Sequence, residues 1–434
     1  MKQSKNNIAS ANMPLSMRKH VALFGNTNAG KSTLFNQLLG QDMSIVSQQH
    51  GTTTDPVIKA MELNRFGPIA LIDTAGLNDL SVLGKQRTEK TAALMQRTDL
   101  AVYLMDAGEI ARDTERYAAR DTERYSARDT ERYTTRDSEG VRNAYEQFVL
   151  DLQKYQTPHI LIFSKSDTVS VDERERLQRA YPEAVFVSFD DAQTVHLLKE
   201  RLVDELSRLS PGNDTILGNL LPQGSTVLLV TPIDSAAPKG RMILPQIQVL
   251  RDCLDHGMKC MFTREHELLQ ALSELKNIDL VVADSQVFAY VNERIPREMR
   301  LTSFSMLLAN QNGDMKTYME GVHALEVIPE GAKILMAEAC THSHTHEDIG
   351  RVKIPKWVQE YAEKEFGFEY TVSHQFPEDL TGYAMVIHCG GCMVNKKTMA
   401  SRILMCKAQG IPITNYGVVI AYVNGILERC GEIF

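Results

Sequence analysis

The stretch Val-Ala-Leu-Phe-Gly-Asn-Thr-Asn-Ala-Gly-Lys-Ser at residues 21–32 decides the fold of the first part of the chain. Four apolar residues run directly into the pattern G-x-x-x-x-G-K-S, and a helical pattern follows over residues 32–39. In such a loop, glycines let backbone N–H groups wrap phosphates, and the start of the helix adds the positive end of its dipole. Lys31 would reach the β- and γ-phosphates, and Ser32 would bind Mg²⁺. The stretch therefore predicts a nucleotide-binding strand–loop–helix.

The surrounding sequence predicts a three-layer α/β domain of the P-loop class over residues 18–211. Short runs rich in Val, Ile and Leu occur at residues 69–72, 100–105, 160–163 and 184–187. Such runs are typical of strands that are buried on both faces of a parallel sheet. Helical patterns lie between them, and this alternation predicts a mostly parallel sheet.

Two motifs after the phosphate loop predict a catalytic site that responds to the γ-phosphate. Thr53 lies in Gly-Thr-Thr-Thr-Asp at residues 51–55, and Asp73 opens Asp-Thr-Ala-Gly after the strand at 69–72. Thr53 and Asp73 would complete the Mg²⁺ site with Ser32, and the Gly76 N–H would sense the γ-phosphate. We therefore expect Lys31, Thr53, Asp73 and Gly76 to form the catalytic set.

A third motif predicts recognition of guanine. Ser164-Lys165-Ser166-Asp167 follows the strand at residues 160–163, and Asp167 can accept two hydrogen bonds from the guanine edge. Ser188 follows the next strand and would brace the base. The predicted GTP or GDP contacts are Gly25, Asn28, Ala29, Gly30, Lys31, Ser32, Thr33, Lys165, Asp167 and Ser188.

Two residues bear on the rate of hydrolysis. Leu77 follows Gly76 at the position where Ras-like enzymes carry a glutamine that orients water. Leucine cannot position water, so hydrolysis needs another form of assistance. The side-chain oxygen of Asn28 could hold K⁺ beside the phosphates, where the cation would act like an arginine finger. The alternative is that Asn28 only shapes the loop.

Composition narrows the class of protein. The 434 residues suggest about three domains, and 47 basic against 55 acidic residues give a net charge of −8. This balance disfavours a nucleic-acid-coating protein, and no apolar run approaches the roughly 18 residues of a membrane helix. Residues 1–17 read as a flexible N-terminus without the apolar core of a signal peptide, so we expect a cytoplasmic protein.

The remaining sequence predicts two smaller α/β domains. A Pro-Gly linker near residues 209–215 precedes an α/β unit at 212–295, which we interpret as structural or oligomer-forming. Residues 296–434 read as a third α/β domain. Residues 111–138 carry an eight-residue repeat with Arg at every fourth position from Arg112 to Arg136, and its tyrosines drift around a helix instead of forming one apolar face. This insertion is interpreted as a solvated duplication, with a partner-binding role as the alternative.

Three cysteines of the last domain suggest a metallocluster. Cys340 follows the strand-like residues 333–337, and His388, Cys389 and Cys392 follow those at 384–387. Ligand sites in open α/β sheets lie beyond the carboxyl ends of strands. Three thiolates suit a 4Fe-4S cluster with one exchangeable iron, while zinc or inert buried cysteines remain alternatives. A fourth ligand could be His342 or His388, or could be absent.

The motifs of the first domain resemble those of Era and the tRNA-modifying TrmE-like GTPases, whose hydrolysis is frequently stimulated by K⁺. Ser164 departs from that pattern, which has Asn, and because the amide is lost we expect weaker nucleotide binding, although Asp167 still favours guanine. With C-x-H and H-C-x-x-C near the end, the whole chain resembles the HydF family of FeFe-hydrogenase maturation GTPases. That resemblance implies a homodimer formed by the middle domain and a 4Fe-4S cluster on Cys340, Cys389 and Cys392. It also implies a transient diiron subcluster delivered to apo FeFe-hydrogenase, and two radical-SAM maturases as partners. The alternative is an RNA- or ribosome-associated Era-like GTPase with a zinc-stabilised C-terminal domain.

Overall fold

The computed structural model describes residues 13–40, 56–74, 84–112, 139–210, 215–232, 242–339, 348–372 and 375–434. The chain divides into two compact units, Met1–Pro211 and Gly212–Phe434. The repeat at 113–138 lies outside the described residues, as do residues 1–12 of the predicted flexible N-terminus. Leu15–Met17, which also belong to that predicted segment, form a 3-10 helix.

A six-stranded sheet forms the centre of the first unit. Its order is β2-β3-β1-β4-β5-β6, and all neighbours are parallel except β2 and β3. The strands are β1 (Lys19–Gly25), β2 (Val57–Leu63), β3 (Gly67–Asp73), β4 (Leu100–Asp106), β5 (His159–Ser164) and β6 (Val185–Val187). Because β1, β3, β4 and β5 are parallel, their carboxyl ends meet at one edge of the sheet.

Helices cover this sheet because their apolar residues recur at helical spacing. The helices are α1 (Lys31–Gly40), α2 (Gly84–Arg97), α3 (Glu139–Lys154), α4 (Val171–Ala180) and α5 (Ala192–Leu209). On α5, Leu198, Leu202 and Leu206 lie four residues apart and are buried in the core with Val21 and Leu23 of β1.

The second unit contains two four-stranded parallel sheets. The first has the order β10-β9-β7-β8 and the second β12-β11-β13-β14. The strands are β7 (Thr226–Val230), β8 (Lys259–Thr263), β9 (Leu280–Ala283), β10 (Leu301–Ser303), β11 (Lys333–Glu338), β12 (Gly367–Val372), β13 (Met385–His388) and β14 (Ile413–Asn415). The middle sheet therefore takes β10 from beyond residue 295, where the sequence prediction ends that domain.

The two sheets of the second unit share one hydrophobic core. Leu228 of β7 and Ile334 of β11 belong to the same cluster of buried side chains. The helix at Phe304–Asn312 contacts helices that belong to both sheets. The helices of this unit are α6 (Leu244–Asp255), α7 (Leu268–Glu274), α8 (Phe288–Arg294), α9 (Phe304–Asn312), α10 (Met315–Val322), α11 (Ile354–Ala362), α12 (Lys396–Ala408), α13 (Tyr416–Val423) and α14 (Leu427–Gly431).

The predicted fold class is confirmed: a mostly parallel P-loop sheet is followed by two further α/β sheets. None of the helices in the described parts of the chain is both long and apolar enough to cross a membrane.

Candidate nucleotide site and cysteine loop

The phosphate loop joins β1 to α1, and two of its glycines occupy positions where a side chain could not fit. Gly25 has φ +133°, and a Cβ atom there would lie 2.2 Å from the Leu104 carbonyl oxygen. Gly30 has φ +87°, and its Cβ would lie 2.4 Å from the Phe189 ring. Both positions therefore require glycine, and the loop passes tightly between β4 and the loop after β6.

Lys31 lies buried beneath this loop. Its Nζ donates hydrogen bonds to the carbonyl oxygens of Gly25, at 2.8 Å, and Asn26, at 2.7 Å. Burial lowers the pKa of Lys31, while the nearby carboxylate of Asp73 opposes that change. A charge held by neutral carbonyls in a partly desolvated site is placed to attract phosphate oxygens.

The two predicted Mg²⁺ ligands that the structure describes are in contact. Register pairs Leu23 of β1 with Asp73 at the end of β3, and the Ser32 hydroxyl donates to Asp73 Oδ2 at 2.6 Å. Burial raises the pKa of Asp73, although the Ser32 hydrogen bond and the Lys31 charge pull it down. Hard oxygen donors of this kind suit Mg²⁺. Thr53, Gly76 and Leu77 lie outside the described residues.

Asn28 and Thr33 lie at the solvent-facing side of the loop and helix. Both side chains are exposed, and Asn28 has a left-handed backbone with φ 66°. Ala29, which lies between these two residues in the sequence, is buried. The K⁺ role of Asn28 stays a prediction.

Ser164 connects the guanine motif to the phosphate loop. Its buried hydroxyl lies 2.7 Å from the Ala29 carbonyl oxygen and 3.0 Å from that of Met105. Because a hydroxyl has one proton, it donates to one of these acceptors at a time. Ser164 therefore links the guanine motif directly to the phosphate loop.

The rest of the guanine motif is shaped by its backbone. Lys165 has a left-handed φ of 53°, and its Nζ lies 2.7 Å from Asp106 Oδ2. Asp167 is exposed in the 3-10 helix Ser166–Thr168. Ser188 is buried, and its N–H donates to the Thr194 hydroxyl at 3.1 Å. Asp106 was not predicted, although a carboxylate at the end of a parallel strand is the same signal that singled out Asp73.

The cysteine loop begins where β13 ends. Cys389 donates its N–H to the Ala337 carbonyl at 2.9 Å, and its thiol accepts the Ala339 N–H at 3.1 Å. Desolvation raises the pKa of Cys389 to about 11, while hydrogen bonds from the Gly391 and Ala339 backbones oppose this rise. Ala339 directly precedes Cys340 and is the last residue described before that cysteine. The residue that leads into Cys340 therefore contacts the Cys389 thiol.

The hydrogen bonds of His388 argue against its candidacy as a cluster ligand. The side chain is fully buried. Nδ1 lies 2.8 Å from the Cys389 carbonyl oxygen, and Nε2 lies 2.6 Å from Arg402 Nη1. Both ring nitrogens thus have partners within the protein. His342, the other candidate, lies outside the described residues.

The described donor set is incomplete but fits a thiolate-bound cluster. No group of three or more His, Cys, Asp and Glu side chains suited to a metal ion occurs among the described residues, which omit Cys340 and the histidines after it. Cys392 is partly buried in the loop with Cys389, and its thiol raises the pKa of Cys389 further. Backbone N–H groups of Ala339 and Gly391 donate hydrogen bonds to the Cys389 sulfur, and such bonds stabilise the thiolate ligands of iron–sulfur clusters.

Asn415 and Arg402 also support this loop, and sequence reasoning missed both. Asn415 Nδ2 donates to the carbonyl oxygens of Cys389, at 3.1 Å, and His388, at 3.3 Å. Its Oδ1 accepts the Ser305 hydroxyl from α9 at 3.2 Å. Asn415 ends a parallel strand, which is a usable signal, whereas Arg402 lies within a helix and has none.

The first unit is similar to parts of bacterial GTPases. It is 43% identical over 91 residues to the tRNA modification GTPase MnmE of Chromobacterium violaceum, covering 21% of this chain and 20% of the relative. It is 40% identical over 104 residues to the GTPase Der of Xylella fastidiosa, covering 23% and 22%. The chain thus spans about a fifth of the length of the curated relatives it matches. Era of Aquifex aeolicus bound to GDP and AlF4⁻ gives a TM-score of 0.30 at 19% identity, over 57% of this chain and 93% of Era.

Family comparisons cover all three domains. Residues 20–165 match the 50S ribosome-binding GTPase family. Residues 216–313 match the hydrogen maturase F dimerization domain, and residues 316–433 match the hydrogen maturase F tetramerization domain. Two consecutive domains of hydrogen maturase F thus follow a GTPase domain, and the chain belongs to the hydrogen maturase F family.

Proposed function

We propose that this protein is a GTP-hydrolysing scaffold that binds a 4Fe-4S cluster and assembles or delivers the diiron subcluster of FeFe-hydrogenase. The observation that carries the proposal is the combination, in one chain, of a phosphate loop with two hydrogen maturase F domains, the second of which contains Cys389 and Cys392. Apo FeFe-hydrogenase would receive the diiron unit, and radical-SAM maturases would supply it. These partners and a cytoplasmic location are part of the proposal.

GTP hydrolysis is assigned to the edge of the first sheet. Lys31 is placed to neutralise charge that develops on the β- and γ-phosphates, and Ser32 and Asp73 to hold Mg²⁺. Thr53 would complete the metal shell, and Gly76 would bind the γ-phosphate. K⁺ held by Asn28 would add positive charge where Leu77 offers none. Asp167 would select guanine, with Lys165 and Ser188 shaping the base site.

The cluster is assigned to Cys340, Cys389 and Cys392. When bound, a 4Fe-4S cluster with three thiolate ligands offers one iron that can exchange ligands with a cargo. The protein's part is to present thiolates from two strand ends and to donate N–H groups to their sulfurs. The Ala339 N–H bond to Cys389 Sγ supports this arrangement, since Ala339 leads directly into Cys340.

A homodimer is assigned to the middle sheet. β8 is an edge strand, and its residues Cys260, Met261 and Phe262 are only partly buried. Leu254 of α6 and Leu269 of α7, which flank β8 in sequence, are each 61% exposed. An edge strand whose apolar residues are only partly buried is suited to pairing with a second copy, and exposed leucines on the helices before and after it add apolar surface. The dimerization domain to which residues 216–313 belong supports this reading.

The alternative of a ribosome-associated GTPase with a zinc-stabilised tail is less well supported. It accounts for residues 20–165, but not for two further hydrogen maturase F domains. The two proposals differ in the metal of the C-terminal domain. EPR distinguishes them, because a reduced 4Fe-4S cluster has an unpaired electron and zinc has none.

Anaerobic reconstitution with iron and sulfide tests the proposal. We expect about four irons per chain and an EPR signal after reduction. Cys389→Ala should lose the iron and the signal yet hydrolyse GTP at the rate of the unaltered protein, whereas Cys253→Ala, in the core of the middle domain, should keep both. Stoichiometric zinc without an EPR signal would contradict the proposal and favour the alternative.

A further inference from the structure

We propose that Arg402 is a positioning residue of the cluster site, placing a fixed positive charge behind Cys389 and orienting that residue through His388. The inference rests on the proposed cluster at Cys340, Cys389 and Cys392. It concerns a residue that lies on α12 and is not itself a ligand.

Hydrogen bonds connect Arg402 to the cysteine loop. Arg402 Nη1 lies 2.6 Å from His388 Nε2, and His388 Nδ1 lies 2.8 Å from the Cys389 carbonyl oxygen. Because a guanidinium only donates, Nε2 must accept, and the single proton of the neutral imidazole is then on Nδ1. Nδ1 donates that proton to the Cys389 carbonyl. The position of Cys389 is thereby fixed from the interior of the domain.

The guanidinium is held rigidly in a low-dielectric environment. Arg402 has no exposed surface, and its guanidinium lies 4.9 Å from the centre of the Phe376 ring. Burial lowers the pKa of Arg402 to about 10, so the group remains charged at neutral pH, and the thiols of Cys389 and Cys406 favour that charge. In such surroundings a charge acts on its neighbours more strongly than at the surface.

The sign of this charge suits the proposed cluster. Three thiolates outweigh the positive charge of an oxidised 4Fe-4S core, and reduction adds a further electron. A nearby buried cation therefore stabilises the bound cluster and stabilises its reduced form more.

The test compares reduction potentials, because a merely structural role would not move them. Arg402→Met removes the charge and keeps an apolar stem of similar length, and Arg402→Lys keeps the charge. Lys407→Met removes a charge from the same helix at a side chain that is 52% exposed. Each anaerobically reconstituted protein would be analysed for iron per chain, circular dichroism and the midpoint potential followed by EPR.

We expect Arg402→Met to shift the reduction equilibrium at least tenfold towards the oxidised cluster, which is 59 mV for a one-electron couple, and to retain less iron. Lys407→Met should keep the reduction potential of the unaltered protein.

A folded Arg402→Met variant with an unchanged reduction potential would overturn the inference. Should that variant not fold, Arg402→Lys decides: a potential close to the original supports a role of charge, and a tenfold shift overturns it. If the unaltered protein binds no iron, the proposed function itself fails. If it binds a cluster whose reduction potential does not depend on Arg402, only the inference about Arg402 fails.

Discussion

At the residue scale, His388 and Cys389 are neighbours in sequence at the end of β13 but have different surroundings. His388 faces the interior and bonds Arg402, whereas the Cys389 thiol meets the Ala339 N–H at the edge of the sheet. The sequence predicted both as ligand candidates, because it shows that the two residues are adjacent but not where their side chains lie. The folded chain separates them, because His388 ends β13 and Cys389 lies in the loop that follows.

Lys31→Ala should lower GTP turnover by roughly 10² or more, because it removes a preorganised positive charge from the phosphate site. Its ammonium is held by the Gly25 and Asn26 carbonyls, so another side chain cannot easily replace it. Steady-state phosphate release is the measurement, and Lys154→Ala on the exposed surface of α3 is the control. Turnover that survives in Lys31→Ala would place the chemistry elsewhere.

Ser164→Ala should weaken GDP and GTP binding by roughly tenfold, since it removes a buried hydrogen bond worth about 1 kcal/mol and leaves an acceptor unpaired. The bond to the Ala29 carbonyl would be lost, and the guanine motif would no longer be tied to the phosphate loop. Fluorescent nucleotide titration measures the effect, with Ser273→Ala on α7 as the control. Equal affinities would mean that Ser164 only fills space.

Replacing K⁺ by Na⁺ should slow hydrolysis if Asn28 holds a monovalent cation beside the phosphates. Asn28→Ala should abolish the difference between the two salts, because its exposed side-chain oxygen would be gone. Phosphate release in matched chloride buffers is the measurement. Equal rates for the unaltered protein in both salts would remove this role.

At the element scale, strands with a continuous apolar run were predicted, whereas two edge strands without such a run were missed. β1, β4 and β9 are continuous apolar runs, and the sequence indicated all three. β12 alternates between exposed and partly buried residues at the edge of its sheet, and the three-residue β10 is too short to recognise. Their placement depends on packing against strands that are distant in sequence, which local pattern does not contain.

The edge strand β8 leads to a prediction about assembly. Leu254→Glu combined with Leu269→Glu should weaken self-association, because two charges would replace exposed apolar side chains on the helices before and after the edge strand β8. Both leucines are exposed, so folding should survive. Sedimentation equilibrium measures the effect, and Leu197→Glu, at a 59% exposed site on α5, is the control. A dimer of unchanged strength would exclude this face.

At the scale of the whole molecule, the second unit is built as one body from two sheets. Arg429 of α14 donates to Asn292 Oδ1 at 2.8 Å and to the Met299 carbonyl at 2.9 Å, which joins the last domain to the middle one. Ser305 and Asn415 join them again beside the cysteine loop. The sequence showed three α/β domains but not this shared core, because the contacts join residues more than a hundred positions apart.

We propose that the nucleotide site and the cysteine loop are parts of one maturation scaffold. The most direct measurement is activation of purified apo FeFe-hydrogenase by this protein after anaerobic loading with iron, sulfide and the diiron subcluster. We predict hydrogen evolution with the loaded protein and none with Cys389→Ala carried through the same procedure. An apo-hydrogenase that stays inactive with the fully loaded protein, or that is activated equally well by Cys389→Ala, would contradict the account.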